Sequence, residues 1–175
     1  MKKRFLAPVL LAAMLGLAGC GGGEGIEGTW RVSLGKDIIE GVSINGSFGV
    51  RAEYKFKDGN LSITTRPDIP VAGWFFKVVI DGTYRTDDTG NPQFLYMTRN
   101  KVSLKLGLFK VTLDRIISER TYLYKIEGDS LYLLRYDKLG EEERQAYQRQ
   151  PELIPWDEIT GLSAIFEGSM QMERR

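Results

Sequence analysis

Arg51-Ala52-Glu53-Tyr54-Lys55-Phe56-Lys57, then Asp58-Gly59, then Asn60-Leu61-Ser62-Ile63-Thr64-Thr65, is the stretch that decides the fold. Asp-Gly favours a two-residue type I′ turn, because both central residues must take positive φ. A two-residue turn sets the register, so Phe56 faces Leu61, Tyr54 faces Ile63 and Ala52 faces Thr65. One face of the resulting hairpin is apolar. The other carries Glu53, Lys55, Lys57, Ser62 and Thr64, so the turn chemistry and the burial pattern select the same pairing.

A second hairpin follows from the same reasoning in Tyr122-Leu123-Tyr124-Lys125-Ile126-Glu127, Gly128-Asp129 and Ser130-Leu131-Tyr132-Leu133-Leu134-Arg135. Gly-Asp suits a type II′ turn, which places Gly first. Ile126 then opposes Leu131, Tyr124 opposes Leu133 and Tyr122 opposes Arg135. Between the hairpins, Trp74 to Asp87 reads as one long strand, with Trp74, Phe76, Val78, Ile80 and Tyr84 on one face and Lys77, Asp81, Thr83 and Arg85 on the other. A turn at Asp81-Gly82 is the alternative, but it leaves Lys77 on the apolar side. Phe94–Thr98 and Val102–Leu113 add strands, with Pro92 at a strand start. Glu141 to Gln150 reads as an exposed helix ended by Pro151. Leu162 to Glu173 returns to period two, free to pair with the first strand and so remove both sheet edges.

The N-terminus is of a different kind. Lys2, Lys3 and Arg4 precede an uncharged run of 14 residues, Phe5 to Ala18. That run is shorter than the roughly 20 apolar residues a membrane span requires, and reads as an export signal. It ends in Leu17-Ala18-Gly19-Cys20, which resembles the bacterial lipobox; the resemblance implies cleavage before Cys20 and acylation of its thiol. The expected division is therefore a signal peptide over 1–19, a lipidated Cys20 with a Gly-rich tether over 20–27, and a barrel domain over 28–175. Because one acyl chain holds only marginally and two hold stably, the implied partner is the membrane itself, through Cys20. Gly21 stands where an Asp would resemble an inner-membrane retention signal, so the outer membrane of a bacterial cell envelope, at its periplasmic face, is the expected location.

Composition narrows the chemistry. The chain has 175 residues, no His and one Cys, which leaves no Ser-His-Asp or Cys-His nucleophile and no His/Cys zinc site. Removing residues 1–19 takes three basic side chains from 24 and leaves 21 against 23 acidic ones, a net charge of −2. A nucleic-acid partner normally requires a basic excess, which is missing here. Of the catalytic patterns, Ser33-x-x-Lys36 needs its two residues one helical turn apart, whereas Ser33 ends a strand. Gly23 to Gly28 matches G-x-G-x-x-G but precedes a strand instead of following one. Asp87-Asp88-Thr89-Gly90-Asn91 reads as a polar β-turn in preference to a calcium loop. Neither enzyme activity, cofactor nor metal is expected.

Gly28-Thr29-Trp30 opening the first strand, the meander after it and a late basic residue resemble the lipocalin pattern. The resemblance extends to a group of lipocalin-like bacterial proteins that share the Gly-Thr-Trp opening, a Gly-Thr-Tyr strand with a following Pro (Gly82-Thr83-Tyr84, Pro92) and a Tyr-x-Ile-x-Gly-Asp-x-Leu hairpin (Tyr124 to Leu131). It implies an all-β, antiparallel up-and-down barrel of about eight to nine strands, here with a short helix between the last two. It also implies that Gly28 and Trp30 lie at the closed end under a late basic side chain, Arg135 first and Arg174 second among the candidates. Tyr54, Phe56, Trp74, Phe76, Tyr84, Tyr122 and Tyr124 share the inward parity. They are either packed core or the lining of a ligand cavity. Two functions follow as expectations: binding of a hydrophobic or amphipathic small molecule at the envelope or, with a fully packed core, a non-catalytic envelope interaction protein such as a complex accessory or enzyme inhibitor.

Overall fold

The computed structural model describes residues 25–34, 50–67, 75–114, 118–159 and 168–175. Cys20, the glycines before residue 25, Lys36, Trp74 and residues 162–167 of the expected last strand lie outside them. Nine strands follow in chain order: β1 Gly28–Leu34, β2 Val50–Lys57, β3 Asn60–Pro67, β4 Phe76–Asp87, β5 Gln93–Leu106, β6 Phe109–Leu113, β7 Ser118–Glu127, β8 Ser130–Arg135 and β9 Met170–Arg174. All pairings are antiparallel, and their order β4-β3-β2-β1-β9-β8-β7-β5 closes through β4–β5 into an eight-stranded barrel with β6 as a spur on β5. The helix α1, Glu141–Arg149, precedes the last strand and buries no side chain.

Both hairpins adopt the expected registers, Tyr54 opposite Ile63 and Tyr122 opposite Arg135. Their turns have the φ values that the residues allow: Asp58 at 51° and Gly59 at 75° in the first, Gly128 at 59° in the second. β4 passes through Asp81-Gly82 without turning.

Two strand limits differ from expectation. Phe94–Thr98 and the start of Val102–Leu113 are a single strand, the 14-residue β5, and the rest turns back at Gly107-Leu108 to form β6. Gly107, at φ 56°, supplies the left-handed residue that this turn requires. β5 runs on through its middle by a bulge: Gly82 pairs with Arg99 and Asp81 with Lys101, leaving Asn100 unpaired. The extra residue reverses the parity, so Leu95, Met97 and Arg99 point inward before it and Val102, Leu104 and Leu106 after it. Gly82 lies against this bulge so closely that a Cβ there would stand 1.9 Å from the Thr98 carbonyl oxygen. The second difference is in the last strand, which begins at Met170 after a turn at Gly168 and runs to Arg174, so that Gly168 and Ser169 do not belong to it.

The barrel core comprises Trp30, Phe56, Leu61, Ile63, Leu95, Met97, Tyr122, Leu131, Leu133 and Met172, all buried. Burial of a large apolar side chain of this kind contributes about 1.5–3 kcal/mol. A smaller cluster sits outside the wall. Leu123 faces outward yet is fully buried, as are Ile154 and Ile159, while Trp156 meets Tyr132 and Tyr136 meets Phe94 edge-on.

Candidate functional site

The two ends of the barrel are built differently. At one end, Asp58-Gly59, the 88–92 turn and Gly128-Asp129 join strands tightly around Gly28 and the C-terminus. Trp30 is completely buried there, and its indole Nε1–H donates to the Ile26 carbonyl at 2.7 Å. The guanidinium over its ring belongs to Arg174, 4.5 Å from the centroid, which also donates to the Gly25 carbonyl at 3.0 Å. The β1–β9 register puts Trp30 directly opposite Arg174. Arg135, the first candidate for that place, lies toward the other end of β8, where its Nε and Nη2 bind both oxygens of Asp137 at 2.7 Å.

The inward aromatic residues divide between the ends. Tyr84 donates to Glu27 at 2.9 Å and stacks edge-on against Phe56, and Tyr124 donates to Asp88; both are at the closed end. Burial, with the neighbouring Glu27 carboxylate, pushes the Tyr84 hydroxyl up to about 12. Burial and the bond to Asp88 likewise push Tyr124 well above the ordinary tyrosine range. The 87–91 segment is a polar turn, with Thr89 donating through both its N–H and its hydroxyl to Asp87. Phe76 has the inward parity but sits beyond the rim and is exposed.

At the opposite end, which is the open mouth in the lipocalin pattern and whose connections over 35–49, 68–74 and 160–167 lie outside the described residues, three neighbouring strands change character together. Their inward series run Leu95-Met97-Arg99 on β5, Tyr124-Tyr122-Arg120 on β7 and Leu131-Leu133-Arg135 on β8, each reaching arginine toward the mouth. Met97 faces Arg120 and Arg99 faces Ser118, so Arg99 and Arg120 are diagonal neighbours on one face. Tyr54 reaches the same place from β2 across the barrel. Burial, helped by the Tyr122 phenol, pushes its hydroxyl up to about 12, against the opposing pull of Arg99 and Arg120. Desolvation, then the charge of Arg120, lowers Arg99. Tyr122 is completely buried and, among the described residues, its hydroxyl has no partner; neither has the buried Nε of Arg99. No Asp or Glu occurs in the inward series of the described strands, and Asp137 is the carboxylate that meets Arg135.

Beyond the rim, the same inner face continues as an uncovered apolar strip. Phe76, Leu106, Phe109, Val111 and Leu113 are exposed along it, Phe109 at 79%, and Leu108 at the tip is wholly exposed. The opposite parity of these strands is basic, with Lys77, Lys101, Lys105 and Lys110. A separate cleft of about 470 Å³ lies outside the wall between Pro92, Tyr124, Pro151, Ile154 and Trp156. It holds no unpartnered buried polar atom and suggests no chemistry.

Neither a protein-family model, a curated protein nor a solved structure matches this chain. Sequence reading found Tyr54, Tyr122 and Arg135 but missed Arg99 and Arg120. Arg120 could have been found, since it shares the parity of Tyr122 and Tyr124. Arg99 was obscured by the bulge at Asn100, which separates it from the parity of Val102.

Proposed function

We propose that the mature protein is anchored to a bacterial envelope membrane, the outer one in preference to the inner, through acylated Cys20, and that its lipocalin-like barrel binds a hydrophobic or amphipathic small molecule without catalysing a reaction. The observation that carries the binding half is the apolar inner face that leaves the core, crosses the rim and continues uncovered over β4, β5 and β6. A contiguous exposed apolar strip joined to a concave interior is what an apolar ligand requires. The packing of Ile26 and Gly25 at the closed end supports the orientation, because a chain arriving from Cys20 meets that end first. The mouth then points away from the lipid, toward the aqueous envelope space.

Native mass spectrometry of the protein extracted from membranes tests binding: one lipid-like molecule should accompany the chain. Absence of any adduct, together with failure to take up added oleate, overturns the binding reading. Its weight then passes to the second reading, in which exposed Leu108 and Phe109 dock on another envelope protein. For the anchor, Cys20→Ser should abolish labelled-palmitate incorporation and move the protein to the soluble fraction. Retention in the membrane would remove that part of the proposal.

A further inference from the structure

We infer that the open half of the barrel is an oxyanion site, in which Arg99 and Arg120, with the Tyr54 and Tyr122 hydroxyls, hold the negatively charged head of an amphiphile whose acyl chain lies along the apolar strip toward β6. The inference rests on the ligand-binding reading of the barrel and names the ligand class.

Arg99 and Arg120 are diagonal neighbours on adjoining strands, both inward, and neither forms a hydrogen bond or ion pair among the described residues. Arg135 is already satisfied by a bidentate carboxylate, so it shapes the site without needing an anion. Two uncompensated guanidinium groups in a partly desolvated place each raise the cost of the other, since the inward series offers no carboxylate to offset them. A monoanion between them halves that excess charge. It also meets planar N–H forks suited to a carboxylate or phosphate.

Leaving a buried hydroxyl or guanidinium N–H without a partner is costly, and here one of each, the Tyr122 hydroxyl and the Arg99 Nε, lies without one among the described residues in the same region. Both are donors, so an acceptor-rich head satisfies them together. Tyr54 keeps its proton at neutral pH and adds a third donor. The orientation of the tail follows from packing. Toward the closed end the barrel is filled by Trp30, Phe56, Leu61, Leu131 and Met172, all fully buried, whereas the face toward β6 is uncovered. The head therefore sits inside and the chain runs outward.

A carboxylate and a phosphate monoester share this chemistry, and the experiment separates them. The full lipoprotein is titrated with oleate, 1-oleoyl-lysophosphatidic acid, oleyl alcohol and inorganic phosphate, and bound fractions are read by native mass spectrometry after release from detergent. At least one of the two charged lipids should bind tenfold or more above oleyl alcohol, and the better one identifies the head. In Arg99→Gln/Arg120→Gln that preference should disappear while oleyl alcohol binding is unchanged. Tyr122→Phe, which keeps the ring and its packing, should weaken the charged lipid severalfold on its own, so the inference stays testable if the double variant folds poorly. Equal binding of oleate, lysophosphatidic acid and oleyl alcohol to the unaltered protein would overturn the oxyanion site and leave barrel binding intact. Binding of inorganic phosphate as tightly as the lipids would overturn the amphiphile. Uptake of no lipid at all would overturn the binding reading itself.

Discussion

Tyr124 and Tyr122 stand two residues apart on one strand, on one face, and live in opposite electrostatic surroundings. Tyr124, at the closed end, donates to Asp88, as Tyr84 on β4 donates to Glu27. Tyr122, one step away along β7, has arginines for neighbours and, among the described residues, no partner for its hydroxyl. The closed end has tight turns, an indole capped by Arg174 and carboxylates for its phenols, with the buried Nε of Arg174 as a polar atom that lacks a hydrogen bond among the described residues. The open end has unpaired polar atoms inside and apolar side chains outside. Buried packing is concentrated at the first and the inward arginines at the second, where the proposed binding would take place.

Gly82 marks the seam between these halves, and replacing it should have the largest effect. A Cβ there would overlap the Thr98 carbonyl at 1.9 Å, backbone against backbone, so Gly82→Ala must break the β4–β5 ladder at the bulge. We expect a loss of about 3 kcal/mol or more, seen as a collapsed urea midpoint or insoluble protein. A variant as stable as the parent would mean that the seam is not held by this close approach. The comparison of the two ends is next tested by a pair. Trp30→Ala should cost about 3–5 kcal/mol, because it empties a fully buried site and removes the bond to Ile26. Phe109→Ala should stay within about 0.5 kcal/mol, as an exposed rim residue. Similar losses from both would break the distinction.

How far the sequence discloses this arrangement depends on how local the determining interaction is. The registers of both hairpins were legible because two-residue turns containing glycine allow one pairing, and alternation agreed with it. The closing of β9 on β1 was legible as a need to protect edges, but not its register, and so the residue over Trp30 could be narrowed to two arginines without choosing Arg174. That choice is made by a pairing between the chain's two ends. The bulge at Asn100 was illegible: no Gly or Pro marks it on β5, and the glycine that permits it is on the neighbouring strand. Consequently one wall of the candidate site, Arg99, went unread.

Alkaline pH should separate the interior from the surface by a smaller amount. The Tyr54 hydroxyl is raised by burial from 10.0 to about 12, so the folded state favours the protonated form. Its contribution is complete below about pH 10, the value in the unfolded chain, and is lost as pH rises from 10 toward 12. A rise from 10.0 to about 12 corresponds to at most about 2–3 kcal/mol by pH 12. Lysine titration also acts in that range, which is why the informative quantity is the difference between the parent and Tyr54→Phe, measured by urea melts at pH 9 and 11.5. The parent should lose more stability than the variant over that interval; parallel losses would show that Tyr54 ionises as freely in the fold as outside it.

The smallest expected effect belongs to Arg174→Lys. Arg174 places a planar guanidinium 4.5 Å from the Trp30 ring centroid and donates from the same group to the Gly25 carbonyl, so one flat side chain both covers the indole and ties down the segment leading into β1. Lysine keeps the charge but concentrates it at one strongly hydrated ammonium, which cannot lie flat on the ring and satisfy that carbonyl together. A cation over an aromatic ring contributes about 0.5–2 kcal/mol, and because lysine retains part of it the loss should be about 0.5–1 kcal/mol. That is small enough to need a control. In a double-mutant cycle with Trp30→Phe, the Arg174→Lys penalty should shrink, since the weaker ring offers arginine less advantage over lysine. Lipid uptake should not change in either variant, because this arginine serves the closed end alone. If Arg174→Lys instead alters uptake while leaving the urea midpoint in place, the closed end takes part in binding, and the division of labour between the two ends is wrong.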